Sequence, residues 1–351
     1  MWFILHTRQL VYTVPCMAKR NETIAMQTTL NGEPPVIVVL DGHTLNPGDL
    51  SWAPLRLLGE THVYDRSTPF EIIERAKDAN IILVNKILIS REIILQLPKL
   101  KCICVTATGF NNIDLQAASE RGVTVCNVLG YGTSSVAQHV FALLLECSNH
   151  VALHSDSVKK GDWSSQPDFC YWKTPIFELQ GKTIGIYGFG RIGQKVAAIA
   201  LAFGMRVLAT HKHPERDART GVTFVNLPDL FAASDVVSLN APLTADNRDI
   251  VNLELLRRMK TTSILINTGR GELVVEEDLV QALQSGRPAV AALDVLRAEP
   301  PPANHPLFAL PNCLITPHLA WAGREARMRL LEMTVENVQA FLQGAPQNMV
   351  N

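Results

Sequence analysis

Three residues with acid–base and anion-binding chemistry follow a glycine-rich loop along this chain, in the order Arg270, Glu299 and His318. The loop spans Gly188–Gly193 and has the sequence Gly-Phe-Gly-Arg-Ile-Gly. Reduction of a carbonyl group by a nicotinamide needs a hydride source, a cation that holds the substrate, a proton donor and an anion that tunes this donor. The chain offers one candidate for each part, so the pattern predicts dehydrogenase chemistry.

The glycine loop has the context of a dinucleotide-binding turn, because it directly follows a predicted strand over Thr183–Tyr187 and opens a predicted helix. Gly188 permits the tight turn, Gly190 lets the backbone approach a pyrophosphate, and Gly193 allows close packing of helix on strand. The free amides of the first helical turn would face the phosphates. The loop therefore predicts NAD(H) or NADP(H) as the cofactor.

The residue expected to hold the adenine ribose departs from the usual NAD pattern. A strand of this kind ends in Asp or Glu in NAD enzymes, because a carboxylate binds the 2′-hydroxyl and repels a 2′-phosphate. Here the strand over Arg206–Ala209 is followed by His211 at that place. Further basic side chains are Lys212, His213 and Arg216. We therefore predict a preference for NADP; the alternative is an NAD enzyme whose ribose is held by main chain, Glu215 or Asp217.

The composition excludes several classes of partner. The chain has 351 residues with Lys+Arg 32 and Asp+Glu 33, a net charge of −1, so no basic excess suggests nucleic acid or an anionic membrane as partner. No apolar run approaches the ~18 residues of a membrane span. Residues 1–34 precede the first organised pattern, and we predict a disordered extension there. An alternative is that translation begins at Met17 or Met26.

Cysteine and histidine usage points to a reducing compartment and to a protein without metal. The 7 cysteines are an odd number without secretory spacing, which predicts reduced thiols and a cytoplasmic location. Cys102 and Cys104 lie in a strand-like run and would share one face of it. The 10 histidines show no paired ligand spacing, so no metal site is predicted.

The elements that must position these residues alternate between apolar runs and helical stretches. Predicted strands cover Val36–Leu40, Ile81–Val84, Cys102–Thr106, Val123–Cys126, Thr183–Tyr187, Arg206–Ala209, Val236–Leu239, Ser263–Ile266, Ala289–Leu293 and Leu314–Ile315. Predicted helices include Phe70–Ala79, one long helix over Thr133–Ser157, Ile192–Phe203 and Gly323–Gln343. This alternation predicts an α/β fold with parallel sheets. Arg270, Glu299 and His318 each follow the end of a predicted strand, where open α/β sheets bind ligands.

From Val36 to Asn351, the chain resembles the D-isomer-specific 2-hydroxyacid dehydrogenases. The motifs that carry the resemblance are Gly188–Gly193, Ala241–Thr244, Ile266–Gly271, Ala292–Val295 with Glu299–Pro300, and Thr316–His318. Three further segments look most like the glycerate dehydrogenase (hydroxypyruvate reductase) branch: Asp168–Trp172, Trp321–Ala322 and Pro346–Asn348.

The resemblance implies two Rossmann-like, doubly wound parallel-sheet domains with a cleft between them. The substrate-binding domain would be discontinuous, over residues 35–130 plus 319–351. The NAD(P)-binding domain would cover residues 131–318. A homodimer is also implied, through the exposed parts of the long helix that starts near Thr133.

The resemblance and the chemistry together imply a role for each site residue. Arg270 would grip the substrate by its carboxylate and carbonyl oxygen, His318 would exchange the proton, and Glu299 would bond the other ring nitrogen of His318. By resemblance, Asp294 would fix the nicotinamide carboxamide. The other cofactor residues would be Gly188, Gly190, Arg191, Ile192, Gly193, His211, Lys212, Pro242, Thr244 and Thr268. The substrate would also meet Asn85, Thr108, Gly109, Phe110 and Tyr131, with Lys86 in the pocket lining.

The expected function is reduction of hydroxypyruvate or glyoxylate to glycerate or glycolate. One alternative is oxidation of 3-phosphoglycerate, which would need extra cations that the sequence does not identify. Another alternative is a nucleotide-sensing binding protein similar to the corepressors that share this fold. Those proteins keep the same triad, so the triad alone does not separate them from enzymes.

Overall fold

A computed structural model of the chain describes residue 30 and residues 32–351. The prediction for the extension over residues 1–34 falls almost entirely outside this part. The strands are β1 Val36–Val39, β2 Glu60–Val63, β3 Ile81–Val84, β4 Cys102–Val105, β5 Thr124–Cys126, β6 Thr183–Tyr187, β7 Arg206–Thr210, β8 Val222–Phe224, β9 Val236–Leu239, β10 Ile264–Asn267, β11 Val290–Leu293 and β12 Cys313–Ile315. The α-helices are α1 Ala53–Arg56, α2 Pro69–Ala76, α3 Arg91–Leu95, α4 Leu115–Glu120, α5 Thr133–Asn149, α6 Val151–Lys159, α7 Arg191–Ala202, α8 Leu227–Ala233, α9 Leu253–Arg258, α10 Glu276–Gln284 and α11 Arg324–Leu342.

The strands of the described chain form two parallel sheets, which confirms the predicted fold class. One sheet has the order β2-β1-β3-β4-β5 and the other has the order β12-β11-β10-β9-β6-β7-β8. Each order reverses once along the sheet, between β1 and β3 in the first and between β6 and β9 in the second. A doubly wound sheet opens a crevice at such a switch point, beyond the carboxyl ends of its strands.

Both sheets are covered by helices on both faces, because their central strands are apolar on both sides. In β10, Ile264 and Ile266 pack with α5 and α7, whereas Leu265 between them packs with α8, α9 and α10. In β4, Cys102 and Cys104 share one face, as predicted, with their sulfur atoms 3.7 Å apart. None of the helices in the described part of the chain is long and apolar enough to cross a membrane.

The last helix returns to the first sheet. Val338 of α11 packs into the core over that sheet. Arg327 of α11 binds Asp49 through two contacts of 2.7 Å, and Asn337 donates to the carbonyl of Asn127 at 2.8 Å. These contacts support a discontinuous substrate-binding domain; its boundaries at residues 130 and 319 stay a prediction.

The long helix predicted over Thr133–Ser157 is wrong, because the chain forms α5 and α6 with a break at His150. His150 has φ 48 and ψ 47, a left-handed conformation, and its amide closes α5 on the carbonyl of Glu146 at 2.9 Å. A left-handed residue redirects the helix axis, yet helical spacing of apolar residues continues on both sides of it. Periodicity therefore does not reveal the break.

Two edge strands were also missed by the sequence analysis. In β2 the residues alternate between exposed and half-buried positions, and β8 has only 3 residues. Edge strands are short and polar, so they lack the continuous apolar run that marks a central parallel strand.

Candidate active site

His318 and Glu299 form a hydrogen-bonded pair beyond the carboxyl ends of β12 and β11. Nδ1 of His318 lies 2.5 Å from Oε2 of Glu299, and the amide of Leu296 donates to Oε1 at 3.2 Å. An ionised carboxylate only accepts, so Nδ1 is the donor and Nε2 is left to face a ligand. The side chains of His318 and Glu299 are 25% and 33% exposed, which leaves the pair open to the cleft.

Glu299 keeps its negative charge at neutral pH. Burial by itself would raise the pKa of this carboxyl, but the hydrogen bond and the charge of His318 act in the opposite direction. The Leu296 amide and the Lys86 charge add to this effect, so the pKa of Glu299 lies below its ordinary value. A carboxylate that stays ionised therefore lies behind the His318 ring.

The turn that carries His318 is held by Asp294. His318 has φ 52, which is left-handed, and its amide donates to the carbonyl of Asp294 at 2.8 Å. The Asp294 carboxylate accepts from Thr316 Oγ1 at 2.6 Å and from the amides of Leu319 and Ala320 at 2.9 and 2.8 Å. Asp294 thus binds both sides of the turn. Its contact with a nicotinamide carboxamide stays a prediction.

Arg270 reaches across the cleft to the loop that follows β4. A Cβ at residue 109 would lie 2.8 Å from Nη2 of Arg270, so a side chain there would displace the guanidinium from this position. Nη1 donates to the carbonyl of Gly269 at 2.8 Å. Within the described chain, no carboxylate lies at salt-bridge distance from Arg270. This free guanidinium is suited to an anionic ligand.

The other predicted substrate residues follow strands β3, β4 and β5, beyond the carboxyl edge of the first sheet. Burial raises the pKa of Tyr131 to about 12, against the opposing charge of Arg270. Asn85 is 5% exposed and donates to the carbonyl of Thr106 at 2.7 Å, so its amide supports the loop from behind. Thr108 donates to the carbonyl of Val128 at 2.8 Å. Phe110 packs partly into the core over α3 and α4.

The glycine loop has the shape that a pyrophosphate needs. Gly188 has φ 92, and a Cβ there would lie 2.5 Å from the amide nitrogen of Ala241. A Cβ on Gly193 would lie 2.2 Å from the carbonyl of Gly188. Gly190, by contrast, faces open space at the start of α7, with nothing within 4 Å of an added Cβ. The loop is thus closely packed at Gly188 and Gly193 and open at Gly190. This shape fits a dinucleotide whose phosphates bind the amides of α7.

Two buried polar atoms near the loop lack a partner within the described chain, which also fits a bound ligand. They are Oγ1 of Thr268 and Oδ1 of Asn240, just beyond the ends of β10 and β9. Thr268 was predicted as a cofactor residue, whereas Asn240 was missed. The sequence feature that could have identified Asn240 is a polar residue directly after the apolar run of β9. The neighbouring Pro242 and Thr244 form a tight turn through Asn247, which accepts from the Thr244 amide at 2.7 Å.

The predicted ribose position holds an acidic side chain as well as basic ones. Nε2 of His211 lies 2.7 Å from Oδ2 of Asp217, and Arg216 binds the same oxygen at 2.6 Å. The bond from Arg216 lowers the pKa of Asp217 to about 2, against burial and with further help from His211. Lys212 is exposed next to this group and makes no ion pair with a described residue.

Comparison with known proteins agrees with this geometry. The family model for the D-isomer specific 2-hydroxyacid dehydrogenase NAD binding domain matches residues 141–320. A hydroxypyruvate reductase of Blautia hydrogenotrophica is 46% identical over 320 residues, which cover 90% of this chain and 99% of that protein. A glycerate dehydrogenase of Methylorubrum extorquens is 41% identical over 285 residues, which cover 81% and 89% of the two chains.

A solved structure of an acyclic imino acid reductase in complex with NADPH and D-Arg is also similar. It has a TM-score of 0.79 and 31% sequence identity, and the match covers 90% of this chain and 100% of that one. Sequence, fold and site therefore agree. The chain belongs to the D-isomer-specific 2-hydroxyacid dehydrogenase family, in the branch of the hydroxypyruvate reductases and glycerate dehydrogenases.

Proposed function

We propose that this protein reduces hydroxypyruvate or glyoxylate to D-glycerate or glycolate with a reduced nicotinamide dinucleotide. The observation that carries the proposal is the His318–Glu299 pair at 2.5 Å, on the same strand edge as Arg270, which has no carboxylate partner among the described residues. The named relatives, a hydroxypyruvate reductase and a glycerate dehydrogenase, support the same substrate class.

The proposed mechanism assigns one task to each of these groups. When bound, the reduced cofactor supplies a hydride for the substrate carbonyl carbon. Arg270 holds the carboxylate and the carbonyl oxygen in one plane through the fork of its guanidinium. His318 donates the Nε2 proton to the oxygen as negative charge develops there, while its Nδ1 keeps its proton and donates a hydrogen bond to the Glu299 carboxylate. In the reverse direction, neutral His318 accepts the hydroxyl proton.

The function is tested by the loss of NAD(P)H absorbance with a panel of 2-keto acids. We expect rapid turnover of hydroxypyruvate, glyoxylate or both. Tight cofactor binding without turnover of any 2-keto acid would reject the enzyme and favour the nucleotide sensor. Efficient use of the 3-phosphorylated substrate alone would favour the 3-phosphoglycerate alternative.

We also propose that NADP(H) is the preferred cofactor. Lys212 and Arg216 would bind a 2′-phosphate, because hydrogen bonds to charged groups contribute about 1.5–3 kcal/mol each. The opposing feature is Asp217, whose charge His211 and Arg216 already offset. We predict a higher kcat/KM for NADPH than for NADH, and a loss of about tenfold or more for NADPH alone in Lys212→Gln. A strong NADH preference in the wild type would refute this.

A homodimer is proposed through the surface that follows α5. Large apolar side chains are exposed there on α6 and the segment after it: Val151, Leu153, Trp163, Phe169, Trp172 and Ile176. Phe169 is 89% and Trp172 66% exposed, and a patch of this kind usually marks an interaction site. The cytoplasmic location stays a prediction.

We predict a dimer by analytical ultracentrifugation and a monomer for Trp172→Asp, because the new charge would be buried in the interface. Phe70→Asp is the matched control, since Phe70 is 93% exposed on α2, away from this surface. A monomeric wild type, or a Trp172→Asp protein that dimerises as strongly as the wild type, would contradict the prediction.

A further inference from the structure

The loop over residues 106–112, which we call the substrate loop, follows β4 and forms one side of the candidate site. Its Gly109 lies against Arg270, since a Cβ at this residue would lie 2.8 Å from Nη2 of the guanidinium. The amides of Gly109 and Phe110 donate to no acceptor among the described residues. Free amides in a loop that contacts a guanidinium suit a carboxylate, provided that the loop holds them in a fixed direction.

The start of the substrate loop is attached to the two residues that follow β5. Nδ2 of Asn127 donates to the carbonyl of Thr108 at 2.8 Å, and Oγ1 of Thr108 donates to the carbonyl of Val128 at 2.8 Å. The Val128 amide donates to the carbonyl of Ala107 at 3.0 Å. Of these three bonds, the one from Asn127 binds the peptide group that joins Thr108 to Gly109.

This bond sets the direction of the Gly109 amide. The peptide group between Thr108 and Gly109 is planar and trans, so its carbonyl and its N–H point in opposite directions. Asn127 holds the carbonyl, and the N–H therefore points away from Asn127. Glycine on its own would allow this peptide to rotate over a wide range, because it lacks a Cβ. The Asn127 side chain thus supplies the constraint that Gly109 does not.

Asn127 is in turn fixed by α11 and by the segment over residues 346–351. Its carbonyl accepts from Nδ2 of Asn337 at 2.8 Å, and its amide donates to the carbonyl of Asn348 at 3.1 Å. Nδ2 of Asn348 donates to Oδ1 of Asn337 at 2.8 Å, which closes the group. Asn337 is 0% and Asn127 3% exposed, so water does not compete for these bonds.

The 346–351 segment also covers the edge of the first sheet. The strand β5 is the last in its sheet, and the segment pairs with it through an antiparallel bridge between Cys126 and Met349. The Val350 amide donates to the carbonyl of Val125 at 2.9 Å. A segment that pairs with an edge strand is held along its main chain. The segment therefore provides a fixed support for Asn127.

We propose that Asn127 is a positioning residue that aims the Gly109 amide at the substrate carboxylate, and that residues 346–351 act on the substrate site through it. The inference rests on the proposed function, because it takes the carboxylate of a 2-keto acid as the ligand of the substrate loop. Asn127 does not touch the substrate; it acts through the peptide group between Thr108 and Gly109.

The first test is Asn127→Leu, which preserves the size of the side chain and the main-chain bonds of residue 127 but removes the donor to Thr108. We expect KM for hydroxypyruvate and glyoxylate to rise about tenfold, as for one misaligned hydrogen bond. The value of kcat should change by less than about twofold, because the carboxylate is bound equally in the ground state and the transition state. Steady-state kinetics at saturating reduced cofactor measures both constants.

The second test is Asn348→Gly, which acts on the supporting segment. Residue 348 has φ 55, a conformation that glycine adopts without strain, so the variant keeps the backbone and loses the bond to Asn337. We expect a smaller rise in KM, of about threefold, with kcat unchanged. The double variant with Asn127→Leu should have the KM of Asn127→Leu alone, because both changes act by one route.

Asn80→Leu is the matched control. Asn80 lies at the amino end of β3, on the opposite edge of the same sheet, where its Oδ1 accepts from the Val36 amide at 2.9 Å and its Nδ2 donates to the carbonyl of Lys99 at 3.4 Å. It loses the same kind of bonds, so it should lower Tm without changing KM. An unchanged cofactor Kd shows that each variant is folded, and Asn127→Ser replaces Asn127→Leu if the latter is not.

Three outcomes would overturn the inference. One is a wild-type KM in Asn127→Leu, and another is a loss confined to kcat that Asn80→Leu shares, which is the pattern of general destabilisation. The third is an additive effect in the double variant, which would separate the 346–351 segment from Asn127. Failure of the proposed function is recognised separately, because then the wild type turns over no 2-keto acid. In that case the Kd of glyoxylate with the oxidised cofactor, measured by calorimetry, compares the same variants.

Discussion

Replacement of His318 by Asn is expected to lower kcat by about 10²–10⁴-fold, the usual contribution of a positioned acid–base group. Asn is the suitable replacement, because residue 318 has φ 52 and Asn tolerates a left-handed backbone better than most residues. The variant keeps the Asp294 contacts of the turn, which involve residues 316, 319 and 320. Steady-state kinetics with hydroxypyruvate and glyoxylate measures the loss.

The cofactor Kd of the His318 variant, measured by quenching of protein fluorescence, should stay within about twofold of the wild-type value. Substitutions of exposed residues usually change free energies by no more than about 0.5 kcal/mol. His62→Asn serves as control, because His62 lies in the other sheet and its ring pairs with the exposed Glu60 and with no other residue that the structure describes. Near-normal turnover by the His318 variant would reject the acid–base role. Loss of cofactor binding together with turnover would point to a structural role instead.

Replacement of Arg270 by Met is expected to lower kcat/KM by about 10²–10⁴-fold. Two charge-assisted hydrogen bonds to the substrate are lost, at about 1.5–3 kcal/mol each, and each 1.4 kcal/mol is a factor of ten. Most of the loss should appear as a raised KM if the fork mainly binds the ground state. Arg270→Lys should recover only part of it, because an ammonium group does not bind two oxygens in one plane.

Arg206→Met is the matched control for this variant. Arg206 is exposed at the amino end of β7, far from the cleft edge of that sheet, and forms no ion pair within the described chain. Its loss should change neither kcat/KM nor the cofactor Kd. If kcat/KM of Arg270→Met stayed within about threefold of wild type, a difference below 1 kcal/mol, Arg270 would not be the substrate anchor.

The sequence alone was sufficient for the class of fold and the cofactor loop. Central parallel strands are apolar on both faces, so β1, β3, β4, β6 and β9 appear in the sequence as short apolar runs. The Gly188–Gly193 loop is a local feature as well, since its glycine spacing stands directly between an apolar strand-like run and a helical stretch. Local periodicity and local sterics suffice for such elements.

The same argument explains which elements escaped prediction. The edge strands β2 and β8 are short and half exposed, so no apolar run marks them. The break at His150 depends on one pair of backbone angles, which the helical spacing on either side does not reveal.

Only the tertiary structure decided which side chains meet. Glu299 and His318 come together because β11 and β12 are neighbours in the sheet, an order that no local pattern encodes. The loop after β7 brings the Asp217 carboxylate to His211. An acidic group therefore lies beside a strand end that has none in its own sequence. The guanidinium of Arg270, which follows β10 of the seven-stranded sheet, reaches the loop at Gly109 that follows β4 of the other sheet. Residue types determine the available chemistry, whereas sheet order and the closure of two domains determine which groups share one cleft.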